Sequence, residues 1–156
     1  MTTNEITVDF SKSVFYKINQ LSIYIETLAE NFFEIRNVDL THDEFVALNF
    51  ILRNPGICQR DLAKLILRNR VRTGRILTSL EEKGYVKRIN DTKNNRLVRR
   101  LKLTKSGEKV YCEQFKIMNQ IMQKLLEKFS KEQMDDLMSS LKNLETAISE
   151  IVELNI

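Results

Sequence analysis

The stretch RNRVRTGRILTSLEEKGYVKR, residues 68–88, carries the main evidence for the fold. Four arginines crowd its first half, at Arg68, Arg70, Arg72 and Arg75. Like charges three or four residues apart on one helix repel each other and destabilise the helix, so a functional role for these arginines is considered. Asn69 suits the N-cap of a helix and Gly84 suits its C-terminal stop, so a helix is predicted between them.

The two faces of this predicted helix differ in chemistry. At about 100° per residue, its inward face consists of Thr73, Ile76, Leu77 and Leu80. Its opposite face consists of Val71, Arg72, Gly74, Arg75 and Thr78. Arginine binds phosphates and guanine edges, and Gly74 permits a close approach of the backbone, so this face is predicted to enter a DNA major groove, about 12 Å wide. Phosphates would relieve the repulsion among the arginines while counterions leave.

The neighbouring segments complete a supersecondary pattern. A short helix with Leu62, Ala63, Leu65 and Ile66 is predicted before the arginine-rich helix. After it, YVKRI (85–89) and VRRLKL (98–103) are predicted as paired strands. The segment NDTKNNRL (90–97) is rich in turn-forming residues and is predicted to be a long loop between them. Helix, turn, helix and basic hairpin together predict a winged helix-turn-helix.

The loop of the predicted hairpin is basic. Lys93 and Arg96 make its tip positive, whereas Arg99 shares a strand face with Leu101 and Leu103. A narrow, A·T-rich minor groove concentrates negative potential and attracts an inserted arginine. We therefore expect Arg96 to be the inserted residue, with Arg99 as the alternative.

Long helices are predicted at both ends of the chain. Apolar residues in the first one alternate in spacings of three and four, at Val14, Ile18, Leu21, Ile25, Leu28, Phe32 and Ile35. The last helix repeats the spacing at Met134, Leu137, Leu141, Leu144, Ile148 and Ile151. Such a seam is typical of a helix packed along another helix. The predicted fold class is mainly α with a small β-hairpin wing.

The charge of the chain is unevenly distributed. Residues 68–102 contain twelve Lys or Arg and three acidic residues, a local charge of +9. The whole chain carries +4, so the remainder carries −5. A basic block on an otherwise acidic protein indicates a localised site for a polyanion.

Composition and motifs exclude several other classes. With 42% hydrophobic and 29% charged residues, the chain is typical of a globular protein. The polar start indicates no signal peptide, and no apolar run approaches membrane-spanning length, so we expect a cytoplasmic protein. Cys58, Cys112 and the single His42 fit no metal or redox spacing. We find no phosphate loop or nucleophile–base set, and we expect neither an enzyme nor a bound cofactor.

Residues 59–88, QRDLAKLILRNRVRTGRILTSLEEKGYVKR, followed by the wing and by LTKSG at 103–107, resemble the MarR family of bacterial transcription regulators. The resemblance extends over nearly the whole chain, because the long helices also match. It implies a homodimer that binds double-stranded DNA at a pseudo-palindromic operator. It also implies three regions: an N-terminal dimerisation helix (1–40), the winged helix-turn-helix domain (41–103) and C-terminal dimerisation helices (104–156).

The resemblance also implies roles for individual residues. Arg75 matches the arginine commonly found near the middle of the recognition helix, Arg70 and Arg72 match its polar opening, and Asp91 matches the acidic residue at the start of the wing. The segment NNRLVRRLKLT departs from the family pattern, with Asn94 in an acidic place and one extra residue before LT. We expect that residue to lengthen the tip or to form a bulge. The predicted DNA-binding residues are Arg68, Arg70, Val71, Arg72, Gly74, Arg75, Thr78, Lys93, Arg96 and Arg99.

Several alternatives stay open at this stage. The resemblance favours a repressor that a small molecule or an oxidant modulates, yet an activator fits the same sequence. A small aromatic effector is one candidate partner, in a crevice that Tyr16, Tyr24 and Tyr111 would line unless they are structural. Cys58 and Cys112 are expected to be structural thiols rather than redox sensors. The alternative function is a winged-helix module whose basic face binds an acidic protein.

Overall fold

The computed structural model describes residues 9–93 and 96–151, without the side chains of Lys93, Arg96 and Leu97. A short 3-10 turn at Phe10–Lys12 comes first. The helices and strands then follow in the order α1 (Val14–Ile35), α2 (His42–Arg53), α3 (Gln59–Leu65), α4 (Arg70–Glu82), β1 (Val86–Lys93), β2 (Arg96–Leu103), α5 (Lys105–Leu126) and α6 (Lys131–Ile151). The predicted fold class, mainly α with a β-hairpin wing, is confirmed.

Two compact units divide the chain between Phe45 and Val46. The first contains α1, whose N-terminus is capped by Ser13, and the start of α2. Its buried residues include Phe33 and Phe45, whose ring centroids lie 5.5 Å apart. A capping box begins α2: the Thr41 backbone N–H donates to Glu44 Oε2 at 2.8 Å, and the Glu44 N–H donates to Thr41 Oγ1 at 3.2 Å. Reciprocal bonds of this kind satisfy two donors at the start of α2.

The second unit contains the rest of α2 and everything after it. Its apolar core is made by residues of α2, α3, α4 and the hairpin: Ala47, Leu48, Ile51, Leu62, Ala63, Ile76, Leu77, Leu80, Val86 and Leu101. Thr73 is fully buried among them, and its hydroxyl donates to the Asn69 carbonyl at 2.9 Å. One side of the helix-turn-helix therefore packs against an apolar core, and its opposite side is available for binding.

The hairpin is longer and its loop shorter than predicted. β1 and β2 pair antiparallel from Val86↔Leu103 to Lys93↔Arg96, so most of residues 90–97 form strand rather than loop. The prediction of a long loop there is wrong, because the ladder continues through polar residues of types that commonly form turns. The pairing is continuous from one end of the ladder to the other, so the extra residue before LT forms no β-bulge in the described strands. Asn94 and Asn95 lie outside the described residues.

The start of α5 is fastened to the base of the wing. Thr104 is the N-cap, and its Oγ1 accepts a hydrogen bond from the Gly107 N–H at 3.0 Å. The same hydroxyl donates to the Gly84 carbonyl at 2.6 Å, and the Thr104 N–H donates to the Tyr85 carbonyl at 3.0 Å. A Cβ added at Gly107 would lie 2.0 Å from that Tyr85 oxygen. Glycine is needed here because the two backbones are in contact.

The last two helices expose much apolar surface in the single chain. The α6 N-terminus has a capping box, in which the Ser130 N–H donates to Gln133 Oε1 at 2.8 Å and the Gln133 N–H donates to Ser130 Oγ at 3.1 Å. None of the α6 side chains is buried. Within the described ranges, no helix is both long enough and apolar enough to cross a bilayer.

Candidate nucleic-acid interface

Asn69 determines where α4 begins. Its side chain accepts a hydrogen bond from the Arg72 N–H at 2.8 Å, so the predicted N-cap is confirmed. At the other end Gly84 has a φ of +71°, and its N–H donates to the Glu81 carbonyl at 2.9 Å. The cap at Asn69 and the left-handed conformation of Gly84 therefore define where α4 begins and ends.

The side chains of α4 form one buried face and one exposed face. Thr73, Ile76, Leu77 and Leu80 are buried, as the periodicity predicted. Four residues on the opposite side are exposed: Val71, Arg72, Arg75 and Thr78. Arg70, in the first turn of the helix, is exposed as well. Arg68 and Gly74 are half-buried. Seven of the ten predicted DNA-binding residues therefore lie on or beside one outward surface, which we call the α4 face.

Two arginines of the α4 face, Arg70 and Arg75, carry charge that the described residues do not balance. Among the described residues, no ion pair and no hydrogen bond involves the guanidinium group of Arg70 or Arg75. Both guanidinium groups are exposed to solvent, where their mutual repulsion is screened but not cancelled. An arriving polyanion would find these donors unoccupied.

Gly74 has a packing role that the sequence did not predict. A Cβ at this position would lie 3.2 Å from Gln59 Nε2, at the start of α3. That amide nitrogen donates to the Arg70 carbonyl at 3.3 Å. Gly74 thus provides room for Gln59 to bridge the two helices of the helix-turn-helix. Its proposed close approach to DNA stays a prediction.

The turn between α3 and α4 contains a strained residue. Leu67 has a φ of +53°, in the left-handed region that glycine usually occupies. The Arg68 N–H donates to the Ala63 carbonyl at 3.0 Å, which closes the C-terminus of α3. A non-glycine residue in this conformation costs about 1 kcal/mol. The turn fixes the angle at which α4 leaves α3.

Arg100 anchors the wing to the helix-turn-helix, and the sequence did not single it out. Its guanidinium forms an ion pair with Asp91 on β1, and its Nη1 donates to the Gly56 carbonyl at 2.8 Å. The Leu101 N–H donates to the Ile57 carbonyl at 2.9 Å, so β2 also pairs with the segment before α3. The hydrogen bond from Arg100 lowers the pKa of Asp91 below its ordinary value of 3.8.

The basic residues of the wing fall into two groups. Arg88 and Arg100 are engaged by carboxylates, Arg88 through a 2.5 Å contact between its Nη1 and Glu81 Oε2. Arg99 is exposed, and no ion pair or side-chain hydrogen bond involves it within the described residues. Arg99 shares a strand face with the buried Leu101, as the alternation predicted. Arg99 itself lies two residues nearer the tip of the hairpin, where that face is no longer buried. The side chains of Lys93 and Arg96, both predicted to bind DNA, lie outside the described residues.

The three tyrosines considered as the lining of an effector crevice differ in their surroundings. Tyr111 is only 3% exposed, and its hydroxyl donates to Asn49 Oδ1 at 2.7 Å, so its role is structural. Burial raises its pKa above the ordinary value of 10.0. Tyr16 and Tyr24 are exposed on α1, where they border a hollow of about 250 Å³.

The two cysteines are free thiols. Cys58 Sγ donates to Asp61 Oδ2 at 3.1 Å at the start of α3, and this hydrogen bond lowers the pKa of Asp61. Cys112 is exposed on α5. Cys58 thus has a local structural role beside the wing anchor, whereas Cys112 is open to solvent.

Comparisons with known proteins agree with this geometry. The MarR family model matches residues 40–98. The uncharacterized HTH-type transcriptional regulator YybA of Bacillus subtilis (strain 168) is 35% identical over 78 residues, which is 50% of this chain and 51% of YybA. The match therefore spans about half the length of that curated relative.

Solved structures of similar fold extend the comparison to the long helices. The crystal structure of a complex of Staphylococcus aureus MepR with DNA has a TM-score of 0.77 at 22% identity, and the match covers 87% of this chain and 96% of MepR. The structure of the transcriptional regulator SlyA also has a TM-score of 0.77, at 25% identity, with coverages of 88% and 95%.

The hairpin packed beside α3 and α4 defines a winged helix-turn-helix protein. The comparisons agree with this class: residues 40–98, which are less than half of the chain, match the model of the MarR family. The resemblance predicted from the sequence is thereby confirmed.

Proposed function

We propose that this protein is a homodimeric regulator that binds double-stranded DNA at a pseudo-palindromic operator. The observation that carries the proposal is the α4 face, an exposed surface of arginines held directly opposite a buried apolar core. In helix-turn-helix proteins the second helix lies in the major groove, and a two-fold symmetric dimer reads half-sites about one helical turn apart. That the similar MepR structure is a complex with DNA supports the same use of this fold.

Electrostatics support a polyanion as the partner of the α4 face. The block of +9 over residues 68–102 covers α4 and the wing, whereas the rest of the chain carries −5. Because Arg70 and Arg75 have no anionic partner among the described residues, binding to phosphates would replace counterions rather than break ion pairs. Arg72, Thr78 and Arg68 extend the contact surface, and Arg99 and Arg96 extend it into the flanking minor groove. We expect affinity to fall steeply with salt concentration.

The proposed homodimer follows from apolar surface that a single chain leaves uncovered. Most of the seam residues of α1 and α6 are exposed, including Leu21, Ile25, Leu28, Leu137, Leu141 and Ile148. Long rows of large apolar side chains are rare on monomers and mark protein interfaces. We propose that the helices outside residues 41–103 form the dimerisation region.

Light scattering tests the dimer. At low micromolar concentration we expect the mass of two chains, twice 18.4 kDa. Leu141→Glu places a charge in the α6 seam and should shift the equilibrium toward monomer or unfolded chain. Ser139→Glu adds the same charge outside the seam and is the matched control. A wild-type chain that stays folded as a monomer would contradict the homodimer.

Repression and its control complete the proposal. A dimer that covers two successive major grooves excludes polymerase wherever its operator overlaps a promoter, so we propose repression in the cytoplasm, where bacterial DNA lies. The exposed rings of Tyr16 and Tyr24 could stack with a small aromatic effector, and exposed Cys112 could meet an oxidant. A promoter–operator reporter should rise when benzoate or hydrogen peroxide is added, and Cys112→Ser should abolish the peroxide response alone.

The DNA-binding function itself is tested by selection from random duplexes followed by sequencing. We expect enrichment of a pseudo-palindrome whose half-site centres lie about 10 base pairs apart. Equal recovery of all duplexes, or an affinity that does not change with salt, would refute the proposal. Binding only to acidic proteins would favour the alternative winged-helix interaction module.

A further inference from the structure

One residue of the α4 face does not fit a surface built only for phosphates. Val71 is 66% exposed, and it is the single large apolar side chain of α4 that is exposed to this degree. It lies between Arg70 and Arg72 in sequence, on the side of the helix opposite to the buried Leu80. Valine forms helices less readily than alanine or arginine, so neither helix formation nor the core accounts for it.

The position of Val71 aligns it with the residues proposed to read bases. Arg75 and Thr78 follow at i+4 and i+7, so the three side chains form one stripe along the helix, and all three are exposed. With a rise of about 1.5 Å per residue, Val71 precedes Arg75 by roughly 6 Å along the axis. That distance corresponds to about two base-pair steps at about 3.4 Å each.

In the major groove, thymine is the base that presents a methyl group, and apolar side chains contact it. We infer that Val71 recognises the C5-methyl group of a thymine that lies about two base pairs from the guanine contacted by Arg75. The inference rests on the proposed DNA-binding function and specifies part of the half-site. Because a valine has no donor or acceptor, it would discriminate through the methyl group alone.

The test uses the operator obtained by selection and the full-length dimer. Each thymine of the half-site is replaced by deoxyuridine, symmetrically in both halves, which removes one methyl group and changes no hydrogen bond. Replacement of one particular thymine should lower the affinity of the wild-type protein about fourfold per half-site, because one methyl group is no longer buried. For the symmetric duplex this amounts to roughly fifteenfold.

Protein variants connect that loss to Val71. Val71→Ala should bind the thymine and deoxyuridine duplexes with nearly equal affinity, and Val71→Thr, which keeps one methyl, should retain part of the preference. Leu67→Ala removes another exposed apolar side chain outside the stripe and should keep the full preference. Circular dichroism of each variant verifies that α4 remains folded.

The possible outcomes separate this inference from the function on which it rests. If no duplex is selected, the DNA-binding proposal fails and the inference fails with it. If an operator is selected and no thymine shows a deoxyuridine effect, or if Val71→Ala keeps the full effect, DNA binding stands and the role of Val71 is refuted. Loss of the effect in Val71→Ala, with retention in Leu67→Ala, supports it.

Discussion

Replacing Gly107 by alanine should destabilise the protein, because α5 begins in direct contact with the wing. The new Cβ would lie 2.0 Å from the Tyr85 oxygen and 2.8 Å from its carbonyl carbon. Ordinary contacts between carbon and oxygen exceed 3 Å, so α5 or the backbone of Tyr85 must move by about 1 Å. Both elements are fixed by the Thr104 hydrogen bonds to the same segment.

The expected magnitude combines three terms. Overpacking of a rigid contact costs about 1–3 kcal/mol. Weakening the Thr104 N–H bond to the Tyr85 carbonyl costs about 1 kcal/mol more. Alanine returns up to about 1 kcal/mol relative to glycine through its higher helix propensity. The free energy of unfolding should therefore fall by about 2 kcal/mol, which lowers the melting temperature by roughly 4–8 °C for a chain of this size.

Thermal denaturation at a fixed protein concentration measures this effect, with Gly84→Ala as the control. Gly84 has a φ of +71° and no atom within 4 Å of an added Cβ, so its replacement introduces backbone strain without a clash. We expect Gly84→Ala to cost about 1 kcal/mol. A melting temperature for Gly107→Ala equal to or above that of Gly84→Ala would refute the contact between α5 and the wing.

Four further substitutions test other parts of the structure. Gly74→Ala should keep the free energy of unfolding within about 1 kcal/mol of wild type, because the higher helix propensity of alanine offsets its tight contact with the flexible Gln59 side chain. A larger loss of stability in chemical denaturation would contradict this. Asp91→Asn should increase hydrogen exchange in β1 and β2. In the wild type the hydrogen bond from Arg100 lowers the pKa of Asp91, so protection from exchange should persist above pH 3.8 and decline as the pH falls through the lowered pKa. Arg96→Ala should weaken binding most on operators with A·T-rich flanks, and Arg99→Ala should depend less on the flanks; the reverse order in gel-shift titrations would exchange their roles.

Local signals in the sequence were sufficient to predict most of the helices. Asn69 and Gly84 define α4 because caps act within one turn, and the buried face of α4 follows from spacing alone. The capping boxes at Thr41 and Ser130 are local in the same sense. Such features depend on neighbours three or four residues away, which a sequence shows directly.

The errors and omissions involve contacts between distant residues. Arg100 binds the Gly56 carbonyl 44 positions earlier, and no local pattern indicates that pairing. The strands extend through residues 90–93 because ladder hydrogen bonds outweigh the turn preference of Asp91 and its neighbours. Gly74 was interpreted from its outward position, but its packing against Gln59 depends on the angle between α3 and α4.

The affinity of Arg75→Ala for the operator and for a random duplex, measured by fluorescence anisotropy across a range of salt concentrations, tests the proposed role of the α4 face most directly. If Arg75 contacts a guanine, the variant should lose about 1–3 kcal/mol on the operator and little on random DNA, whereas Lys87→Ala on β1 should affect both similarly and weakly. Wild-type affinity should decrease steeply as salt increases. An equal loss on both duplexes would make Arg75 a phosphate contact, and wild-type binding that does not depend on salt would contradict DNA recognition by the α4 face.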